Sequence, residues 1–104
     1  MSDFFKTLLF SLALAASASA ANYVVDQKGK TFLPGDLSVS VGDTITFKNS
    51  DPFAHNAYTD NESNEFDVGM QATGRETVMT VKSAESFNIE CAIHPNMLIK
   101  VMVE

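Results

Sequence analysis

The chain is 104 residues long, 45% hydrophobic and 19% charged, which suits one small domain with a single core and leaves no room for a second. Seven basic and thirteen acidic side chains give a formal charge of −6, a balance that disfavours nucleic acid and anionic membranes as partners and fits solubility first, docking on a basic surface second. A lone cysteine excludes an internal disulfide.

Residues 1–20, MSDFFKTLLFSLALAASASA, place Lys6 before an apolar stretch and end on the small residues Ala18, Ser19 and Ala20. This is the layout of a cleaved secretory signal, with the mature domain expected over 21–104. The apolar part, roughly 12 residues, is well short of the ~20 needed to cross a bilayer, so no membrane span is expected. Lipid anchoring would need a cysteine at the cut, and Cys91 is the only one. Losing Lys6 and Asp3 leaves the mature part with 6 basic and 12 acidic side chains, still −6. An exported domain so small usually relies on disulfides, and a free thiol in an oxidising compartment must be buried or metal-bound.

From Tyr23 onward, apolar residues alternate with polar ones between frequent turns, the pattern of a β-sandwich or barrel. Tyr23 to Val25 open the first strand, Gly29 breaks the turn after it, and Pro34-Gly35 make another. Leu37, Val39 and Val41 are predicted to face one way, and Ile45 and Phe47 to continue that inward face after a turn at Gly42-Asp43. The segment from Asp51 to Arg75 is less regular, and its acids Asp60, Glu62, Glu65 and Asp67 read as a solvated loop. Asn61-Glu62-Ser63 fits an N-glycosylation acceptor, which matters only in a eukaryotic secretory route. Near the end, Phe87, Ile89 and Cys91 share one strand face, Ile99, Val101 and Val103 another, and only AIHPNM separates them.

Cys91 therefore ends an apolar strand, with His94 and Met97 following at intervals of three, so that one bend can wrap all three around a point. Pro95 keeps that loop from becoming helical. The other histidine, His55, follows a strand in FKNSDPFAHNAY and can face the same point if the two strands are neighbours. Taken singly, each reads more simply as a core or exposed residue; jointly they offer two imidazoles, a thiolate and a thioether. Zinc sites make little use of thioether. Two His and one Cys with a weak axial Met is the donor set of one-electron copper centres, so one Cu(I)/Cu(II) ion is the expected cofactor.

The chain resembles the cupredoxins, in the plastocyanin, pseudoazurin and amicyanin branch. The likeness runs from FLPGDLSVSVGDTITFKNS, residues 32–50, through AHN, residues 54–56, to CAIHPNM, residues 91–97, and the short final loop is most like amicyanin. The resemblance implies a Greek-key β-sandwich of about eight strands, ligands at His55, Cys91, His94 and Met97, and a periplasmic electron carrier, expected here as a monomer. It implies that the Asn56 side chain ties the two ligand loops together while its N–H points at the cysteine sulfur. It also implies that His94 is the edge through which electrons pass, with Pro52, Phe53, Pro95, Met97 and Leu98 around it as an apolar docking face for redox partner proteins. Met102 is kept as packing. Two departures stand out. Ile93 replaces a frequent proline and brings an N–H that could reach the thiolate, and Ala54 stands where proline often precedes the first histidine.

Three other readings compete, one of them a structural or partner-binding sandwich with an empty or zinc-filled site. Copper oxidases and nitrite reductases need a second, open site built from further histidines, and this chain has only two, so an enzyme is not expected. Copper carriage or storage is the stronger rival, but Met70 and Met79 are scattered rather than clustered.

Overall fold

The computed structural model describes residues 20–104. The leader expected over 1–20 lies outside them, Ala20 excepted. Nine strands follow in order: β1 (Asn22–Gln27), β2 (Phe32–Leu33), β3 (Leu37–Val39), β4 (Thr44–Asn49), β5 (Tyr58–Thr59), β6 (Phe66–Asp67), β7 (Glu76–Thr80), β8 (Phe87–Glu90) and β9 (Leu98–Val103). They form two facing sheets, ordered β2-β1-β4-β7 and β3-β9-β8-β5-β6. Two of the nine, β5 and β6, pair briefly inside the segment read as a loop.

The chain crosses between sheets after β2 and returns after β3. This Greek-key route leaves β1 and β4 parallel, from Asn22 opposite Thr44 to Gln27 opposite Asn49, and β3 and β9 parallel as well. Period-two alternation fills the space between the sheets. In β4, Ile45 and Phe47 are fully buried while Thr44, Thr46 and Lys48 are half-buried on the other face. From the opposite sheet come Phe87, Ile89, Ile99 and Val101, and Cys91 and Met97 belong to the same buried cluster. One wall of the site is thus the core itself.

Three expectations need correction. Val41 does not point inward but is 50% exposed. β3 stops at Val39 because Asp43 closes a tight turn: its N–H donates to Ser40 O at 3.0 Å and its Oδ2 accepts from Ser40 N at 2.9 Å. Gly42, at φ 98°, supplies the left-handed backbone that turn requires. Met102 is 51% exposed rather than packed, since the alternation that buries Ile99 and Val101 turns it outward. The four acids of the acidic segment are exposed as expected, but the segment is not a plain loop. Its 3-10 turn, Glu62–Asn64, is pinned by buried Asn64, whose Nδ2 donates to Ser83 O and Glu85 O and whose Oδ1 accepts from Lys82 N and Ser83 N.

Asp43 also joins the start of β1 to this turn, its Oδ1 accepting from Ala21 N at 2.9 Å. The N–H groups of Ala21 and Ser40 hold its carboxyl below the usual carboxylate range. A carboxyl whose pKa is lower folded than unfolded stabilises above its unfolded value, about 3.9, and that contribution fades as pH falls through the folded value. Asp43→Asn is therefore expected to be less stable than the parent at pH 6, with the gap narrowing below about pH 4. Urea midpoints across pH measure it, and a constant gap would contradict it.

Candidate metal centre

The site lies beyond the ends of β4 and β8. At the end of β4, buried Asn49 turns the chain: its Nδ2 donates to Phe53 O and Gln71 O, both at 2.9 Å, and its Oδ1 accepts from Asp51 N at 2.9 Å. His55 is then fixed by a two-way backbone bridge with Gln71, N to O at 3.1 Å and O to N at 2.8 Å. Gln71 is held in turn by Nε2 donating to Phe47 O and Arg75 O, and by Oε1 accepting from Gln27 Nε2 at 2.7 Å.

The second half comes from the loop between β8 and β9. Cys91 N donates to Met97 O at 3.3 Å and Met97 N to His94 O at 2.9 Å, so this loop closes on itself. Asn56 ties the halves together. Its Oδ1 accepts from Ala92 N at 3.1 Å, and its Nδ2 donates to Asp67 Oδ1 and Gly69 O. Asn56→Ala removes all three bonds and is expected to weaken copper binding by roughly 10- to 100-fold, read by competition with a chelator; unchanged affinity would contradict this.

The donors converge. His55 Nδ1 lies 3.1 Å from His94 Nδ1, Cys91 Sγ lies 3.6 Å from His94 Nδ1, and the three donor atoms all fall within 4.8 Å of one another. His55 Nε2 is 2.6 Å from Asp51 Oδ2. An ionised carboxylate can only accept, so that nitrogen carries the proton and Nδ1 presents its lone pair to the cluster. Met97 is buried beside the cluster at 1% exposure, its backbone bonded to both Cys91 and His94. Two imidazole nitrogens and a thiol that converge suit a soft, redox-active ion, so the donor set fits copper.

Exposure is uneven. His55 is at 0% and Cys91 at 4%, whereas His94 is half-exposed. Phe53 packs on both imidazoles, at 5.2 Å from the His55 ring and 5.8 Å from that of His94, with Lys30 Nζ 5.6 Å from the centre of its ring. Pro52, Phe53, Ile93, Pro95 and Leu98 are exposed. Met97 does not join them, because its side chain turns into the core.

Among the described residues, the hydrogen-bonding contact of Sγ is with His94 Nδ1, and neither the Asn56 nor the Ile93 N–H forms a bond to it. The sequence reading also missed Asp51, Asn49 and Gln71. A carboxylate four residues before a histidine was the available signal for Asp51, whereas the partners of Gln71 are distant in sequence and gave none.

A buried cysteine and two imidazoles converging at the end of a two-sheet sandwich define a mononuclear copper protein. Residues 19–104 match the profile of the copper binding proteins, plastocyanin/azurin family, and the chain belongs to that family. It is 31% identical over 96 residues to a chloroplastic plastocyanin of Silene latifolia subsp. alba, which covers 78% of this chain and 57% of that one. With plastocyanin B'/B'' of Nicotiana tabacum it is 32% identical over 82 residues, covering 66% and 81% of the two chains. The chain thus spans little more than half the length of the Silene protein. Among solved structures, a Cu(I) amicyanin mutant superposes with a TM-score of 0.73 at 28% identity, over 86% of this chain and 88% of that one. An oxidised amicyanin mutant gives 0.72 at 28%, again over 86% and 88%. A copper-containing nitrite reductase from Thermus scotoductus SA-01 gives 0.75 at 24% identity, over 88% of this chain but 26% of that one, and shares the fold alone.

Proposed function

We propose that the protein is an exported carrier of single electrons, and that His55 Nδ1, His94 Nδ1 and Cys91 Sγ, with the Met97 thioether as a weaker donor, would hold one copper. The observation that carries this reading is the convergence of the first three atoms within 4.8 Å. Copper supplies a Cu(II)/Cu(I) couple there. The chain's own residues do the rest. Asn49, Asn56 and Gln71 hold both ligand segments in place, so donors need not be gathered when the ion arrives, and the buried wall keeps water from the sulfur. His94, the half-exposed ligand, is the proposed route for the electron, and Pro52, Phe53, Pro95 and Leu98 around it are the proposed contact for redox partners. The exposed acids Asp60, Glu62, Glu65 and Asp67 favour a basic partner, with an association rate that falls as salt rises.

Both histidines of the sequence are committed to this one site, which argues against a second, catalytic copper centre. The layout of residues 1–20 fits a leader removed on export to a periplasm. Cleavage after Ala20 would place the new α-ammonium of Ala21 on the Asp43 carboxylate, where its N–H already lies at 2.9 Å. Among the described residues no helix is long and apolar enough to cross a membrane.

Voltammetry of the copper-loaded protein tests the reading. A reversible one-electron wave that survives many cycles without loss of metal is expected. A colourless protein that binds only Cu(I) and yields it readily to a chelator would instead make it a copper carrier.

A further inference from the structure

The centre leans on a residue that is not among its ligands. Asp51 is 5% exposed, and its carboxylate meets three donors: Gly29 N at 2.7 Å on Oδ1, and Lys30 N at 3.0 Å and His55 Nε2 at 2.6 Å on Oδ2. Its backbone is held as well, N–H to Asn49 Oδ1 and O to Thr73 Oγ1 at 2.6 Å.

Two of those donors come from the turn between β1 and β2. There Lys28 N bonds to Thr31 O at 3.0 Å, and the two central residues, Gly29 and Lys30, have φ of 65° and 56°. A hairpin turn with both central residues left-handed is common when glycine or asparagine fills it. Lysine is an unusual occupant, and such a conformation persists where surrounding structure requires it. Here it aims two successive N–H groups at one carboxylate, a concavity made for an anion. The turn therefore braces Asp51, and Asp51 braces the buried imidazole.

We infer that Asp51 is a positioning residue of the copper centre, fixing His55 with its proton on Nε2 and its Nδ1 lone pair towards the metal, and favouring Cu(II) by making that imidazole a stronger donor. The inference rests on the copper reading above. Its physical basis is that an anionic acceptor on the far N–H of a ligating histidine sets the tautomer and raises the basicity of the near nitrogen. A more basic nitrogen stabilises the higher charge more than the lower, so the midpoint potential falls. Three N–H donors, from Gly29, Lys30 and His55, converge on this carboxylate, an environment that favours its charged form.

Two substitutions separate the charge from the geometry. Asp51→Asn keeps a side-chain oxygen able to accept from Nε2–H but removes the charge, while Asp51→Ala removes the acceptor. In the copper-loaded protein, Asp51→Asn is expected to weaken Cu(II) binding relative to Cu(I) about tenfold, which for one electron is a rise of ~59 mV in midpoint potential. In the metal-free protein, nitrogen NMR of the imidazoles is expected to find His55 protonated on Nε2 in the parent and in Asp51→Asn, and a mixture of tautomers in Asp51→Ala. A parent His55 protonated on Nδ1 alone would overturn the inference without any variant, which keeps it testable should Asp51→Ala fail to fold. An Asp51→Asn potential equal to the parent's would overturn the charge effect while the copper reading stands. A parent that takes up no copper would overturn both.

Discussion

Replacing Cys91 with serine is expected to abolish the visible colour of the copper-loaded protein and to weaken Cu(I) binding beyond the ~100-fold that loss of a supporting residue can cause. Cys91 is the one thiolate available, and soft sulfur is the donor that selects Cu(I) and gives the ligand-to-metal transition its intensity. A hydroxyl of nearly the same size keeps the space filled but is a hard, protonated donor. The substitution also leaves a polar group in a site that is 4% exposed, so a loss of about 1–3 kcal/mol in metal-free stability is expected beside the loss of colour. Visible absorption and competition with a Cu(I) chelator read the first effect, urea unfolding the second. A coloured Cys91→Ser protein would remove the sulfur from the account.

The largest effect on stability is expected from Phe47→Ala, at about 3–5 kcal/mol. Phe47 is fully buried and stacks on Phe66, ring centres 5.4 Å apart and 23° from parallel. Against a total of about 5–15 kcal/mol for a domain, that loss leaves a metal-free protein near the edge of folding. Copper should bind the folded form, with its donors gathered, more tightly than the unfolded chain, so loading should recover part of the deficit. The main-chain Phe47 O that holds the Gln71 side chain is kept by the substitution, so any effect on the site would come through a shift of β4. A urea midpoint corresponding to less than about 1 kcal/mol would show that the core collapses around the gap.

The parts of the fold legible in the sequence were those written in local pattern. The alternation around Ile45 and Phe47 and around Phe87, Ile89 and Cys91 was enough to give a sandwich and its core, and the run from Cys91 to Met97 was enough to suggest three donors on one bend. Spacing alone could bring His55 and Cys91 together only by supposing that their strands were neighbours. The structure joins their loops through the Asn56 side chain, as the family resemblance implied, and sets β5, just after His55, against β8, just before Cys91. Val41 misled because Asp43 ends the alternation through a turn whose partners include Ala21, far back in the chain. β5 and β6 are two residues each and exist through pairing with β8 and with each other, which no local period records. Asn64 and Gln71 were illegible for the same reason. Their bonds reach across the sequence, and an isolated polar residue in a loop carries no mark of being buried.

The account stands on one copper being gripped by three donors that already point together. Titration of Cu(II) into the metal-free protein, followed by visible absorption, tests this most directly. An intense band that grows linearly and stops at one equivalent is the predicted result; absence of the band, or a stoichiometry away from one, would contradict it.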